Sequence, residues 1–249
     1  MTTLWTLTLR ELKAFWYSPI AYAVSGLFLL LQGVVFTILL AVLVDPRFDP
    51  TVTTITQLFF GGTVYFWFMG LIIPSLLTMR AFSEETRSGT IEALLTAPVT
   101  ETQVVLAKFL GAWLNYIALW ASTAVFFLVL RRFLPFDWGP VLTGYLGTWL
   151  MGGVLIAVGV LASSLTRNQV IAAVLSFVAI LLLFSIGILD VFVQDPEGSK
   201  MIQYFSLLEQ LHGFSKGLID TRPIVLYASI ASIALFLTGR VISNPRWRS

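Results

Sequence analysis

The chain has 249 residues, 57% of them hydrophobic and 11% charged, with a formal charge of +2 and no cysteine. Soluble domains carry roughly 25% charged residues, so this is the composition of a membrane protein. It excludes disulfides, thiolate metal sites and cysteine nucleophiles; the lone His212 cannot form a histidine metal centre by itself, and the absence of a basic, aromatic-interleaved patch argues against nucleic acid as a partner.

Residues 1–18 predict an amphipathic helix lying in the membrane surface. Trp5, Leu9, Leu12 and Trp16 share one face, and Thr6, Arg10, Lys13 and Tyr17 another. Pro19 separates it from the first span, because proline disfavours helix at its predecessor. The apolar run Ile20–Val44 is too long for the hydrophobic region of a cleavable signal peptide and long enough to cross a bilayer, so it is expected to be retained.

Six spans are predicted in all, at 20–44, 56–79, 106–130, 141–165, 170–193 and 223–242, which makes residues 1–249 a single all-α membrane domain. With the N-terminus inside, the inner side holds nine Lys and Arg residues (10, 13, 80, 87, 108, 167, 240, 246, 248) and the outer side six (47, 131, 132, 200, 216, 222). That bias predicts cytoplasmic termini in a prokaryotic cytoplasmic membrane. The outer connection 194–222 carries Met201, Phe205, Leu208 and Leu211 at helical spacing, which predicts an outer-face helix over 199–218. In the fourth span Gly153/Ala157 and Gly159/Ser163 allow close helix approach, and packing within one subunit is the favoured use.

The membrane interior is poor in chemistry. Lys108 is placed where it can snorkel, Asp190 near an outer end, and Gln32, Gln57 and Asn115 read as helix-packing polar groups. Phe66, Trp67, Phe68, Trp113, Tyr116, Trp120 and Trp149 are expected to face lipid or its interface. An ion-coupled carrier keeps ionisable groups at depth, and an intramembrane serine protease would need His212 as its base, which lies outside the spans. The chain has no G-x-x-x-x-G-K-[ST] loop, so energy for uphill transport would have to come from a partner subunit.

The segment that could contact such a partner is "RAFSEETRSGTIEALLTAPVTETQVVLAKF", residues 80–109, far longer than a plain helix connection of about 2–8 residues. It predicts solvated Glu84, Glu85 and Arg87 at the end of a helix, a turn at Ser88-Gly89, and a short helix over 88–97. That helix has Ile91, Leu94 and Leu95 on one face and Glu92 on the other, with a stop at Pro98. A capping box of Thr100 and Gln103 then opens the next helix. A two-turn helix is unstable alone, so its leucines bury either on the protein's own helix ends or on a partner.

"FSEETRSGTIEALLTAPVTETQVVLAKFLGAW" resembles the signature of ABC-2 type transporter permeases, through Glu84, Glu85, Gly89, Thr90, Glu92, Leu94, Leu95, Pro98, Val99 and Lys108. "FSLLEQLHGFSKGLIDTRPIVLYASI" is similar to the gliding-motility subgroup at Phe214, Gly217, Asp220 and Tyr227, and departs from it at Pro223. The resemblance implies a permease with no catalytic, cofactor or metal residues of its own. It implies a coupling helix at 88–97, separate ABC ATPase subunits that bind ATP and Mg, and a second permease chain, identical or not. It also implies alternating access, export of an unspecified substrate, and an auxiliary gliding-type subunit. The alternatives are a permease-like component doing mechanical or regulatory work on a surface apparatus, and a self-sufficient channel or enzyme.

Overall fold

The structure, a computed structural model, describes residues 2–44, 55–90, 99–133, 136–193 and 195–243. Among them there is no strand, and six helices are long and apolar enough to cross a membrane: Ala21–Val42, Val64–Ser88, Glu101–Leu130, Trp138–Ser164, Gln169–Asp190 and Thr221–Ile242. The protein is an all-α, multi-pass membrane protein.

The elements run α1 (Thr2–Trp16), α2 (Pro19–Val44), α3 (Ile55–Phe59), α4 (Val64–Thr78), α5 (Ser83–Ser88), α6 (Glu101–Ser122), α7 (Ala124–Leu130), α8 (Trp138–Ser164) and α9 (Gln169–Ser185). A 3-10 segment (Ile186–Phe192), α10 (Pro196–Phe205), α11 (Leu207–Ser215) and α12 (Thr221–Ile242) complete them. The spans alternate in direction, so α1, α5, the start of α6 and the end of α12 share one end of the bundle. There the Ser243 hydroxyl donates to the Glu101 carboxylate. The 3-10 segment, α10 and α11 lie at the far end.

The bundle is organised around α8, which packs against α4, α6, α9, α11 and α12. Met151, Val154, Leu155, Ile156, Ala157 and Val160 are wholly buried along it. Helices in lipid gain nothing from hydrophobic exclusion between them, so close packing is what selects their partners. Gly152 shows how tight that packing is: a Cβ there would sit 2.0 Å from Cε1 of Tyr116. The small residues of α8 serve contacts inside the subunit, as expected. Ala157 is buried there, Gly153 faces Trp113, and Ser163 bonds the turn before α5.

A cluster of aromatic rings joins α2, α3, α4, α6, α7 and α8. Phe28 lies edge-on to Trp120 at 5.4 Å, Phe59 to Phe127 at 5.2 Å and Phe60 to Tyr145 at 4.9 Å. Such pairs add roughly 0.5–1.5 kcal/mol beyond their area. This corrects the expectation that the aromatics face lipid: Phe66, Tyr116 and Trp120 are core, Trp67, Trp113 and Trp149 half-buried, and only Phe68 of that set is exposed. Periodicity could not separate an aromatic on a buried face from one on a lipid face, because both faces are apolar.

Two segments depart from the expected lengths. The second span breaks at Gly61-Gly62, where Gly61 takes φ +109°, and restarts at Thr63, whose hydroxyl accepts from Phe66 N–H. The outer-face helix expected over 199–218 is two helices, since the chain turns extended at Ser206 (φ −72°, ψ 112°). The anticipated stripe is therefore split: Met201 and Phe205 are exposed, Leu208 is half-buried, and Leu211 is buried together with Leu207 and Phe214 outside the stripe. α11 enters the bundle against α8. The Thr143 hydroxyl donates to Phe214 O at 2.7 Å, and the buried Tyr227 hydroxyl donates to Leu207 O at 2.8 Å.

Candidate functional site

The second span ends in a turn at 79–82, and two backbone N–H groups that no helix satisfies are met there by one hydroxyl. Ser163 Oγ, from the last turn of α8, accepts from Phe82 N (3.1 Å) and Ser83 N (3.2 Å) and donates to Met79 O (3.3 Å). The turn is thereby pinned to the central helix. Orphan amides of this kind are costly when buried, and Ser163 is itself fully buried.

α5 leaves this turn. Glu84 and Glu85 occupy its first turn and Arg87 its last, the arrangement a helix dipole favours. Glu84 and Arg87 are exposed as expected. Glu85 is not solvated. It turns inward, with Oε1 2.7 Å from Lys108 Nζ of α6, and its Oε2 is buried without a hydrogen-bond partner among the described residues.

Lys108 does not snorkel either. Its side chain is 4% exposed and lies between Glu85 and Glu11 of α1, whose Oε1 is 3.6 Å away, with Nζ 5.2 Å above the Phe82 ring. Arg10 extends the chain of charges by pairing with Glu11 at 3.0 Å. Three elements distant in sequence are thus tied by one buried ammonium. Removing one partner of such a buried pair costs on the order of 3–5 kcal/mol, because the other charge is stranded.

α1 is placed for this by Gly111, where a Cβ would stand 2.7 Å from Cβ of Glu11. The contact face of α1 therefore carries the buried Thr8 and Glu11, while Trp5 of the expected apolar stripe is 56% exposed. The stripe was assigned from apolar residues alone, whereas α1 also turns Thr8 and Glu11 toward α6, where Glu11 meets Lys108.

α5 closes at Gly89, with φ +70° and ψ 4°, the left-handed region glycine enters freely. Ser88 Oγ bonds back to Glu84 O at 2.8 Å and lies 2.9 Å from Thr90 Oγ1. Ile91, Glu92, Leu94, Leu95 and Pro98, and with them most of the helix expected over 88–97, lie outside the described residues. The chain resumes at Val99, half-buried, and Thr100 opens α6 with a capping box. Thr100 N donates to Gln103 Oε1 (3.1 Å) and Gln103 N to Thr100 Oγ1 (3.3 Å).

Of the sequence-derived site residues, the structure brings Glu85 and Lys108 together and sets Glu84, Gly89 and Thr90 along one exit path. Glu11 and Ser163 were missed. The signal for Glu11 was a lysine deep in the apolar run "VVLAKFLGAW", which needs a counter-ion wherever it is buried.

A family model for ABC-2 family transporter proteins matches residues 42–214, which include the Ser163-pinned turn, α5 and the Lys108 pair. The chain belongs to the ABC-2 transporter family. No curated protein matches it. As an ABC-2 permease it is a membrane subunit of an ABC transporter, not its catalytic ATPase domain. Membership implies ATPase partner subunits and, often, a dimeric arrangement. The match is to the family as a whole and does not single out the gliding-motility subgroup.

Proposed function

We propose that this permease exports a substrate across a prokaryotic cytoplasmic membrane, driven by separate ATPase subunits that bind ATP and Mg. The segment 80–105 is then the ATPase contact. Glu84, Glu85, Gly89, Thr90, Ile91, Glu92, Leu94, Leu95, Pro98 and Val99 are its coupling residues: 88–97 forms the coupling helix, Ile91, Leu94 and Leu95 reach the partner, and Glu84 and Glu85 orient the segment. Both termini and α5 face the cytoplasm, and two permease chains, identical or not, complete the transporter.

The observation that carries this reading is the Glu85–Lys108–Glu11 bridge. A segment that only connected two spans would not need a buried ion pair to α6 and α1 together with a hydroxyl clamp to α8. These ties make α5 stiff against the bundle, so a displacement applied beyond Gly89 would reach α6, α8 and α1 at once. Gly89 gives the segment the one turn it needs to leave the α5 axis. At the far end Leu207, Leu211 and Phe214 of α11 are buried against the bundle, whereas a cavity of about 500 Å³ opens beside α5 among the described residues. That asymmetry suits a resting state reached from the α5 side, and so export.

The test is a cross-link. Leu94→Cys, in a chain with no other cysteine, should join to a co-expressed ATPase subunit in membranes, and more strongly when ATP is supplied. Cross-linking only within the permease would overturn the assignment.

A further inference from the structure

The cavity beside α5 is large enough to hold a ligand. It has a volume of about 500 Å³, within the roughly 300–1,000 Å³ of small-molecule sites, and it is bounded by α1, the start of α2, α4, α5 and α6. Its inner wall is apolar, formed by Leu76, Leu77, Ala21 and Ala112, and its mouth is charged.

The charges at the mouth are of both signs and are not all spent on one another. Arg10, Glu11 and Lys108 belong to the ion-pair chain. Arg80 and the Glu84 carboxylate line the cavity without a side-chain partner among the described residues, and Glu85 Oε2 is buried without a donor. Asn115, 3% exposed, lines the same cavity seven residues beyond Lys108, about 10 Å farther along α6. Its Oδ1 also lacks a partner among the described residues. A buried amide or carboxylate oxygen without a donor is costly, and both of these belong to residues that line one cavity, so a ligand bringing N–H or O–H donors would fit it.

We propose that this cavity binds the headgroup of an amine-bearing zwitterionic phospholipid. A primary ammonium carries three N–H donors, enough for Glu85 Oε2 and the neighbouring Glu84, and an adjacent phosphate meets the Arg80 guanidinium. A ligand of one sign alone would leave the opposite charges facing each other across the cavity. The depth agrees with a lipid: the charged mouth lies where the apolar α4 gives way to the polar turn, at headgroup level. Asn115 lies deeper, where its Nδ2 can donate to the ester oxygens of a glycerol backbone and its Oδ1 can accept from the water that accompanies them. The acyl chains continue along exposed Ile72 and Leu76 of α4.

The purified permease, titrated in detergent with dioleoyl phosphatidylethanolamine, phosphatidylcholine or phosphatidylglycerol and read by native mass spectrometry, tests this without any ATPase. The ethanolamine lipid should be retained at concentrations about tenfold lower than either other lipid, a difference worth one or two charge-assisted hydrogen bonds. Phosphatidylcholine is the decisive comparison, since its quaternary nitrogen has no N–H to give. Ala112→Phe, which fills the cavity, and Glu84→Gln, which takes an acceptor from the ammonium while leaving the phosphate contact intact, should each erase the preference. Equal retention of the three lipids, a preference that survives both variants, or equal binding of soluble phosphoethanolamine would overturn the proposal.

Discussion

Lys108 and Glu85 meet at 2.7 Å across the gap between α6 and α5, with the lysine almost wholly buried and Glu11 on its other side at 3.6 Å. The two carboxylates come from two different helices, so losing the ammonium and losing either one of them are not equivalent. Glu85→Ala strands a buried cation with only the longer contact to Glu11 and should lower stability by about 3 kcal/mol. Glu85→Met combined with Lys108→Met removes both charges and should recover most of that. Thermal unfolding of the two variants in detergent is the measurement, and equal midpoints for Glu85→Ala and the parent would remove the bridge from the account.

Packing at α8 gives a second expectation. Gly152→Ala forces a methyl into the space of the Tyr116 ring, 2.0 Å away in the present arrangement, whereas a Cβ at Gly239 of α12 meets nothing within 4 Å. Gly152→Ala should therefore cost at least about 1–3 kcal/mol and yield little monodisperse protein. Gly239→Ala should be neutral or stabilising by up to about 1 kcal/mol, from helix propensity alone. Size-exclusion profiles after identical purification compare them directly.

Much of this architecture was legible in the sequence, and what was missed has a common cause. Length and apolarity mark the spans because only a helix can satisfy its backbone inside a bilayer. Thr100 and Gln103 mark the start of α6 because a capping box is local chemistry. The partner of Lys108 was not legible, since Glu11 lies 97 positions earlier and nothing local in either helix specifies their meeting. The same holds for Ser163, whose hydroxyl reads as a small packing residue until the turn at Phe82 is set against it. The split of the outer-face helix at Ser206 was also hidden: serine starts helices as readily as it decorates them, and the apolar spacing continued across the break.

In the proposed coupling, Gly89 serves transmission and not attachment. Its φ of +70° costs a β-branched residue about 1–2 kcal/mol, and a Cβ there meets no atom of the described residues within 4 Å, so the cost argued is conformational. Gly89→Val should leave the ATPase bound but mis-aim the segment beyond, so ATP-driven activity falls while co-purification is unchanged. Gly89→Asn, which tolerates the left-handed region, should retain most activity. Parallel loss of binding and activity in Gly89→Val would mean that the turn is part of the contact itself.

The absence of native cysteine makes the proposed orientation directly measurable. Glu209→Cys and Lys216→Cys, both exposed on or just after α11, should react with a membrane-impermeant maleimide applied from outside the cell. Ser88→Cys, exposed at the end of α5, should react only after the membrane is opened. The reverse pattern would invert the topology, and with it the assignment of 80–105 to the cytoplasm.

The central claim is that the apolar face of residues 91–95 holds the ATPase. Burying a leucine fully contributes roughly 1.5–3 kcal/mol, so replacing two of them with carboxylates should release a partner seated on that face. The measurement is co-purification of the ATPase with Leu94→Asp/Leu95→Asp permease, set against the parent and against membrane insertion. The expected result is normal insertion with the ATPase lost; a double variant that keeps both its ATPase and its ATP-driven activity would place the contact elsewhere.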